Sequence, residues 1–528
     1  MRASWLIDQL VAQGVKHFCI APGSRSAPLV LAIAHRTDVT TTVHFDERGL
    51  AFFALGLAKA TRKPVAIVVT SGTAVCNLLP AIAEAYHAKV PLIALTADRP
   101  SDDRGIGANQ TMEQRGVLAP FLCGEFELGS DVSEKTTRSI AAQVVFSCTG
   151  MSMGPVQLNC PFREPLYDPL TPPTMGRAVS VGLHAPKPIA EPFHTSGSRG
   201  IILAGAVPSG IEAIIDLAQR LQWPLFADIL SNARCLPTVE EQIVHFEAAL
   251  QSGKAPAPEI ILHFGERMTS KLVTEWASKY PTIHISPSPS LQDPCRSITA
   301  RYQTDIEHFC TTCSAGRDPS WITAWKELDC DPLDHPFGAI KSEPNATYFL
   351  GNSTVIRDAD RFFFPEAPQA FFANRGLSGI DGTIATAAGI AEGLQSPVVA
   401  FIGDQAALHD LNSFALLKNR PIQLVIINNF SGAIFRRFPV YNTPHYDKYF
   451  GACHSYQFEA IVRMFDLPYA HTAESFVIHP TTVTEISVYC LPGTENKSAT
   501  AKLAEISPSV SAILASKIED IGNKNLRQ

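Results

Sequence analysis

The chain has 528 residues, of which 46% are hydrophobic and 18% charged, a composition normal for a globular enzyme and a length that suits three ordinary domains. A formal net charge of −7 and the absence of any dense Lys/Arg run argue against a general nucleic-acid role. No apolar stretch reaches the roughly 18 residues of a membrane span, and the N-terminus Met1-Arg2-Ala3-Ser4-Trp5 lacks a signal-peptide cleavage site, so the expected location is cytoplasmic.

From the N-terminus, short apolar runs alternate with helical spacing. Residues 16–21, 41–45, 65–70, 92–96 and 156–159 read as strands. After the second of these, Leu50, Phe53, Ala54 and Leu57 recur at helical spacing, and Glu47 stands at the strand-to-helix junction. Taken alone, a Glu there complements a helix dipole. A stretch dense in Pro, Gly, Ser and Thr over 168–200 reads as a surface linker. A second α/β unit starts at 200–205, includes 223–228 and 259–263, and fades near Cys330. The expected divisions are therefore 1–183, 184–334 and 335–528. Twelve cysteines are scattered as in a reduced chain with buried thiols. Cys310 and Cys313 form the only close pair, and with Cys295 and Cys330 they make a weak zinc signal.

The third region is the most informative. An apolar run over 397–402 ends at Gly403-Asp404, a second over 422–427 ends at Asn428-Asn429, and 405–418 between them has helical spacing. In such a strand-helix-strand unit the strand ends open into the ligand crevice, which places Asp404 and Asn429 side by side. A carboxylate and an amide oxygen, with the Ser431 carbonyl as a third ligand and Gly432 for close approach, suit a magnesium ion holding a diphosphate. The rival reading of Gly-Asp after a strand is a turn and a helix cap. The weakly patterned tail beyond 497, with a helix-like stretch over 501–518, implies no function.

The Gly403-Asp404 to Asn429 pattern resembles the diphosphate-binding motif of thiamine-diphosphate enzymes. Longer motifs narrow the resemblance. These are Ala21-Pro22-Gly23-Ser24-Arg25-Ser26-Ala27-Pro28-Leu29, His44-Phe45-Asp46-Glu47-Arg48-Gly49, Val69-Thr70-Ser71-Gly72-Thr73-Ala74, Thr96-Ala97-Asp98-Arg99-Pro100, Gly107-Ala108-Asn109-Gln110 and Asn374-Arg375-Gly376-Leu377-Ser378-Gly379-Ile380-Asp381-Gly382. Together they resemble the MenD family of menaquinone biosynthesis, the 2-succinyl-5-enolpyruvyl-6-hydroxy-3-cyclohexene-1-carboxylate synthases, over about 1–180 and 350–470 and only in patches between.

The resemblance implies an α/β fold in three domains, each a mostly parallel sheet flanked by helices: pyrimidine-binding, middle and diphosphate-binding. It implies thiamine diphosphate with Mg2+ or Mn2+, the metal held by Asp404, Asn429 and Ser431. Glu47 would hydrogen-bond the aminopyrimidine ring nitrogen and favour the tautomer that deprotonates the thiazolium. Ile380 would wedge the cofactor into its bent form, with Ser378, Ile434 and Phe435 also against it. The family reaction decarboxylates 2-oxoglutarate and adds the product carbanion to isochorismate in a 1,4-addition. Both substrates are dianions, so Ser24, Arg25, Arg99, Gln110, Lys271, Ser353, Arg357 and Arg375 match as substrate-binding residues. Because the cofactor would be shared between subunits, a homodimer or homotetramer is implied, with Glu47 and Asp404 meeting across the interface.

The chain also departs from the family pattern. Gln405-Ala406 follows Asp404, Phe430-Ser431 follows the metal-binding Asn, and Leu272 stands where a second base often follows Lys271. The interval from Asp404 to Asn429 is slightly short, the spans 325–349 and 476–481 look compressed, and Arg436-Arg437 is an unusual pair. His44 and His409 are discounted as acid-base groups. Two other functions stay open: another thiamine-dependent 2-oxo acid decarboxylase or carboligase, and a degenerate non-catalytic homologue.

Overall fold

The computed structural model describes residues 2–129, 131–150, 152–166, 189–330, 337, 345–365, 367–472 and 483–487. The expected domain limits near 183 and 334, much of the 168–200 linker, the 476–481 span and the tail beyond 497 lie outside the described residues.

Among the described residues, seventeen strands form three sheets, and every pairing is parallel. The first sheet holds β1 (His17–Ile20), β2 (Thr40–Val43), β3 (Val65–Val69), β4 (Leu92–Asp98), β5 (Gly124–Glu127) and β6 (Val156–Pro161), in the order 2-1-3-4-6-5. The second holds β7 (Gly200–Ala204), β8 (Leu225–Ala227), β9 (Ile260–Phe264), β10 (Thr282–Ser286) and β11 (Ile298–Gln303), in the order 11-10-9-7-8. The third holds β12 (Thr347–Leu350), β13 (Ala370–Phe372), β14 (Val398–Gly403), β15 (Ile422–Asn428), β16 (Tyr469–Thr472) and β17 (Val483–Ser487), in the order 13-12-14-15-17-16. Counted from one to six, the third sheet repeats the strand order of the first. The central strands β3, β4 and β6 are buried along their whole length, as continuous apolar runs demand in a parallel sheet covered on both faces.

The first and third sheets share one core. The helix Glu47–Thr61, which follows β2, packs along the helix Thr383–Leu394, which follows β13, and each occupies the equivalent place in its own repeat. Their backbones approach closely because of two glycines. A Cβ on Gly56 would lie 2.0 Å from the Thr386 carbonyl oxygen, and one on Gly389 would lie 2.0 Å from that of Phe53. The middle sheet docks on the third. Arg234, almost fully buried, pairs with Asp360 at 3.1 Å, and the Asn232 amide oxygen accepts from the backbone N–H of Phe371 in the edge strand β13.

Two local readings change. The expected helix over 405–418 is a short α-helix, Asp404–His409, followed by a 3-10 segment, Leu411–Leu417. The break falls at Asp410, whose carboxylate accepts from the backbone N–H groups of Ile384 and Ala385 and from the Ser413 hydroxyl. Capping a neighbouring helix outweighs continuing its own. The strand β5 lies at a sheet edge and is only half-buried, which explains its weak apolar signal. Among the described residues, no helix is long and apolar enough to cross a membrane.

Candidate active site

The carboxyl ends of β14 and β15 bring Asp404 and Asn429 together. The backbone N–H of Ser431 lies 3.1 Å from Asp404 Oδ2 and 3.1 Å from Asn429 Oδ1, so the two oxygens converge on one donor. Phe430, with φ +58°, turns the chain to allow this. His454 Nε2 lies 3.1 Å from Asp404 Oδ2, and the Tyr456 ring stacks on the imidazole. Burial pushes the Asp404 carboxyl upward, against the opposing pull of the Gln405 and Ser431 amides and His454. A buried carboxylate beside a hard amide oxygen fits a divalent cation, which would restore the solvation that burial removes.

Opposite these groups, across the β12–β14 switch in strand order, lies the turn after β12 and the loop after β13. Ser353 begins the helix Thr354–Phe362 with φ +70°, and the Arg357 guanidinium donates to its carbonyl at 2.5 Å. Arg375 donates to Asn352 Oδ1 at 3.1 Å. Its pKa is brought down to about 10 by burial first and then by the charges of Arg267 and Arg357. Asn352 in turn donates to the carbonyls of Asn374 and Gly379, and Arg267 of the middle domain donates to the Ser378 hydroxyl and the Arg375 carbonyl. Ser378 also has positive φ, +61°. Ile380 follows on this loop and is 37% exposed.

The first sheet presents a second set at its own carboxyl end. Arg25, next to Ser24 after β1, donates to the Phe162 carbonyl at 2.8 Å and pairs with exposed Glu164 at 3.4 Å. Its buried Nε has no hydrogen-bond partner among the described residues, an unfilled donor of the kind a carboxylate ligand satisfies. Arg99, after β4, donates to the Ser71 hydroxyl and to the Gln110 carbonyl, and the Gln110 amide donates to the Ser71 carbonyl at 2.9 Å. Burial, then the nearby charge of Arg25, lowers the Arg99 pKa. Glu47 starts its helix beside Asp46, which caps the Arg48 and Gly49 N–H groups. One Glu47 oxygen, Oε2, accepts from Asn77 at 3.0 Å, and the side chain is half-buried. Gln110, like Ser353, Ser378 and Phe430, has positive φ.

Not every expected residue joins these sets. Lys271 is 84% exposed and pairs with Glu275 one turn along its own helix. Ile434 and Phe435 lie on the 3-10 segment Ala433–Arg437, where Phe435 packs edge-on against Phe450 and Arg437 pairs with Asp358. His44 is buried, which lowers its pKa, and the Arg48 guanidinium contacts His409 through its carbonyl at 2.8 Å. Cys310 and Cys313 are buried thiols whose pKa values burial raises, and no group of three or more metal-ligating side chains occurs among the described residues. His454, Asn352, Arg267, Glu84 and Lys59 were not legible as site residues, since each reaches the site through contacts distant in sequence.

Two nearly identical sheet topologies, joined at one core with polar sets at their carboxyl ends, define the class of thiamine-diphosphate-dependent enzymes. Family models agree segment by segment: a thiamine pyrophosphate enzyme N-terminal binding domain matches 2–117, a middle domain of thiamine pyrophosphate enzymes 187–335, and a C-terminal thiamine pyrophosphate binding domain 351–485. Proteins described as 2-succinyl-5-enolpyruvyl-6-hydroxy-3-cyclohexene-1-carboxylate synthase are similar throughout. The one from Rubrobacter xylanophilus is 37% identical over 88% of this chain and 89% of its own. Those from Haemophilus influenzae and Salinibacter ruber are 35% and 34% identical, each over 88% of this chain and over 89% and 88% of their own lengths. The chain belongs to the 2-succinyl-5-enolpyruvyl-6-hydroxy-3-cyclohexene-1-carboxylate synthase family.

Proposed function

We propose that the protein is a thiamine-diphosphate-dependent transferase of menaquinone biosynthesis. It releases carbon dioxide from 2-oxoglutarate and joins the remaining four-carbon unit to isochorismate by 1,4-addition. Similarity to the named synthases along nearly the whole chain carries this reading. The convergence of Asp404 and Asn429 on the Ser431 N–H supports it independently.

In this reading Asp404, Asn429 and the Ser431 carbonyl would hold Mg2+ or Mn2+ beside the diphosphate. When bound, thiamine diphosphate supplies the nucleophilic carbon and the electron sink for decarboxylation. Glu47, whose Oε2 accepts from Asn77, would hydrogen-bond the aminopyrimidine ring nitrogen. Ser378, Ile380, Ile434 and Phe435 shape the cofactor pocket and exclude water. Arg25, Arg99, Arg357 and Arg375 would grip substrate carboxylates, with Ser24, Gln110 and Ser353 as further polar contacts.

The two sets sit at the ends of different sheets, and a homodimer would face one protomer's Glu47 towards its partner's metal ligands. Val43 and Phe45, exposed to 63% and 61% beside Glu47, suit burial in such an interface. Domain limits of 1–183, 184–334 and 335–528 and a cytoplasmic location complete the proposal.

Carbon dioxide release from 2-oxoglutarate, measured with thiamine diphosphate and magnesium and with or without isochorismate, tests it. Product formation only with isochorismate present is expected. Turnover of pyruvate instead would assign a different carboligase, and cofactor binding without any turnover would sink the enzymatic reading.

A further inference from the structure

We propose that Glu84 of the first domain is a positioning residue: by clamping the loop that carries Arg375 in the third domain, it sets the grip on a substrate carboxylate. The proposal rests on the assignment of Arg375 made above. Glu84 lies on the helix Leu79–Ala88 and is 4% exposed, yet its carboxylate makes both hydrogen bonds outside its own domain. Oε1 accepts from the Gly376 N–H at 2.8 Å and Oε2 from the Leu377 N–H at 2.6 Å. Two consecutive amides aimed at one carboxylate form a charge-assisted, bidentate contact that fixes backbone direction as well as distance.

Lys59 completes the clamp from the helix Glu47–Thr61. Its ammonium donates to the Ala373 carbonyl at 2.8 Å and to Asn374 Oδ1 at 2.7 Å, and lies 3.9 Å from Glu84 Oε1. Burial lowers the Lys59 pKa, and the nearby Glu84 charge opposes that shift. Gly376 makes room: a Cβ there would stand 2.7 Å from the Glu84 carbonyl oxygen and 3.0 Å from its Oε2. Arg375 is thus flanked by anchored residues on both sides, and its guanidinium reaches Asn352 from a fixed backbone. A residue serving only helix packing would find its partners at home. Every hydrogen bond found for the Glu84 carboxylate crosses between domains.

Glu84→Gln is close to isosteric but presents an NH2 to one of the two amides, which breaks half the clamp. In the holoenzyme, deuterium uptake of a peptide spanning 373–378 is expected to accelerate about tenfold or more. The KM for the dicarboxylate held by Arg375 should rise about tenfold, with kcat changed less than about threefold. In an Arg375→Ala background, Glu84→Gln should add less than about twofold, because the group it positions is gone. Unchanged uptake at 373–378, or a full additional KM effect in the Arg375→Ala background, overturns the proposal. Should Glu84→Gln fail to fold, Gly376→Ala, which pushes the loop off an intact Glu84 and Lys59, must give the same uptake and KM pattern or the idea falls. If the wild type turns over no 2-oxoglutarate, the uptake experiment still decides the clamp, and the failure belongs to the proposed function.

Discussion

His454 Nε2 lies 3.1 Å from Asp404 Oδ2, with both side chains buried, at 6% and 3% exposure. Fifty positions separate them. The Gln405 N–H donates to the other oxygen, Oδ1, at 2.8 Å, so both carboxylate oxygens are engaged. Orienting partners of this kind typically affect metal affinity by about 10- to 100-fold. His454→Ala is therefore expected to weaken magnesium-dependent binding of thiamine diphosphate by about tenfold or more. A magnesium titration followed by intrinsic fluorescence checks this, and unchanged affinity would remove His454 from the site.

Glu47→Gln keeps the shape of the side chain and the contact with Asn77 but removes the ionisable carboxyl that the proposed role requires. Activity is expected to fall by about a hundredfold or more, with cofactor affinity nearly intact. Steady-state turnover compared with calorimetric cofactor binding measures both. Near-normal turnover would refute the role given to Glu47.

Gly389→Val places a branched side chain where a Cβ alone would stand 2.0 Å from the Phe53 carbonyl oxygen. The two helices must separate, and the core shared by the first and third sheets opens with them. A loss of about 3 kcal/mol or more is expected, read from urea unfolding. A variant as stable as wild type would show that the helix contact is far looser than described.

Asp410 is 1% exposed, and burial pushes its carboxyl from 3.8 up to about 6. Between those values the folded protein keeps a proton that the unfolded chain has released, so this group's contribution to stability falls as pH rises through the window. The size is about 3 kcal/mol at most. Asp410→Asn removes that contribution, and the stability gap between wild type and variant should change across the window and flatten above it. Urea unfolding at several pH values tests this; a constant gap would contradict it.

The alternation of buried runs with amphipathic spacing made three α/β units legible, because a side chain's place on a parallel strand depends on its immediate neighbours. The placement of Asp404 beside Asn429 was legible for the same reason, each lying just beyond a buried run. The helix break at Asp410 was hidden, since its side chain serves a helix that begins 27 positions earlier, at Thr383. Glu84 and Gly376 are 292 positions apart and Arg267 and Ser378 are 111 apart, and nothing in local spacing joins them. The residues alone determined the α/β alternation and the family resemblance. Only tertiary structure decided which buried carboxylate meets which amide, because those hydrogen bonds form between surfaces that exist only after the separate sheets have packed together.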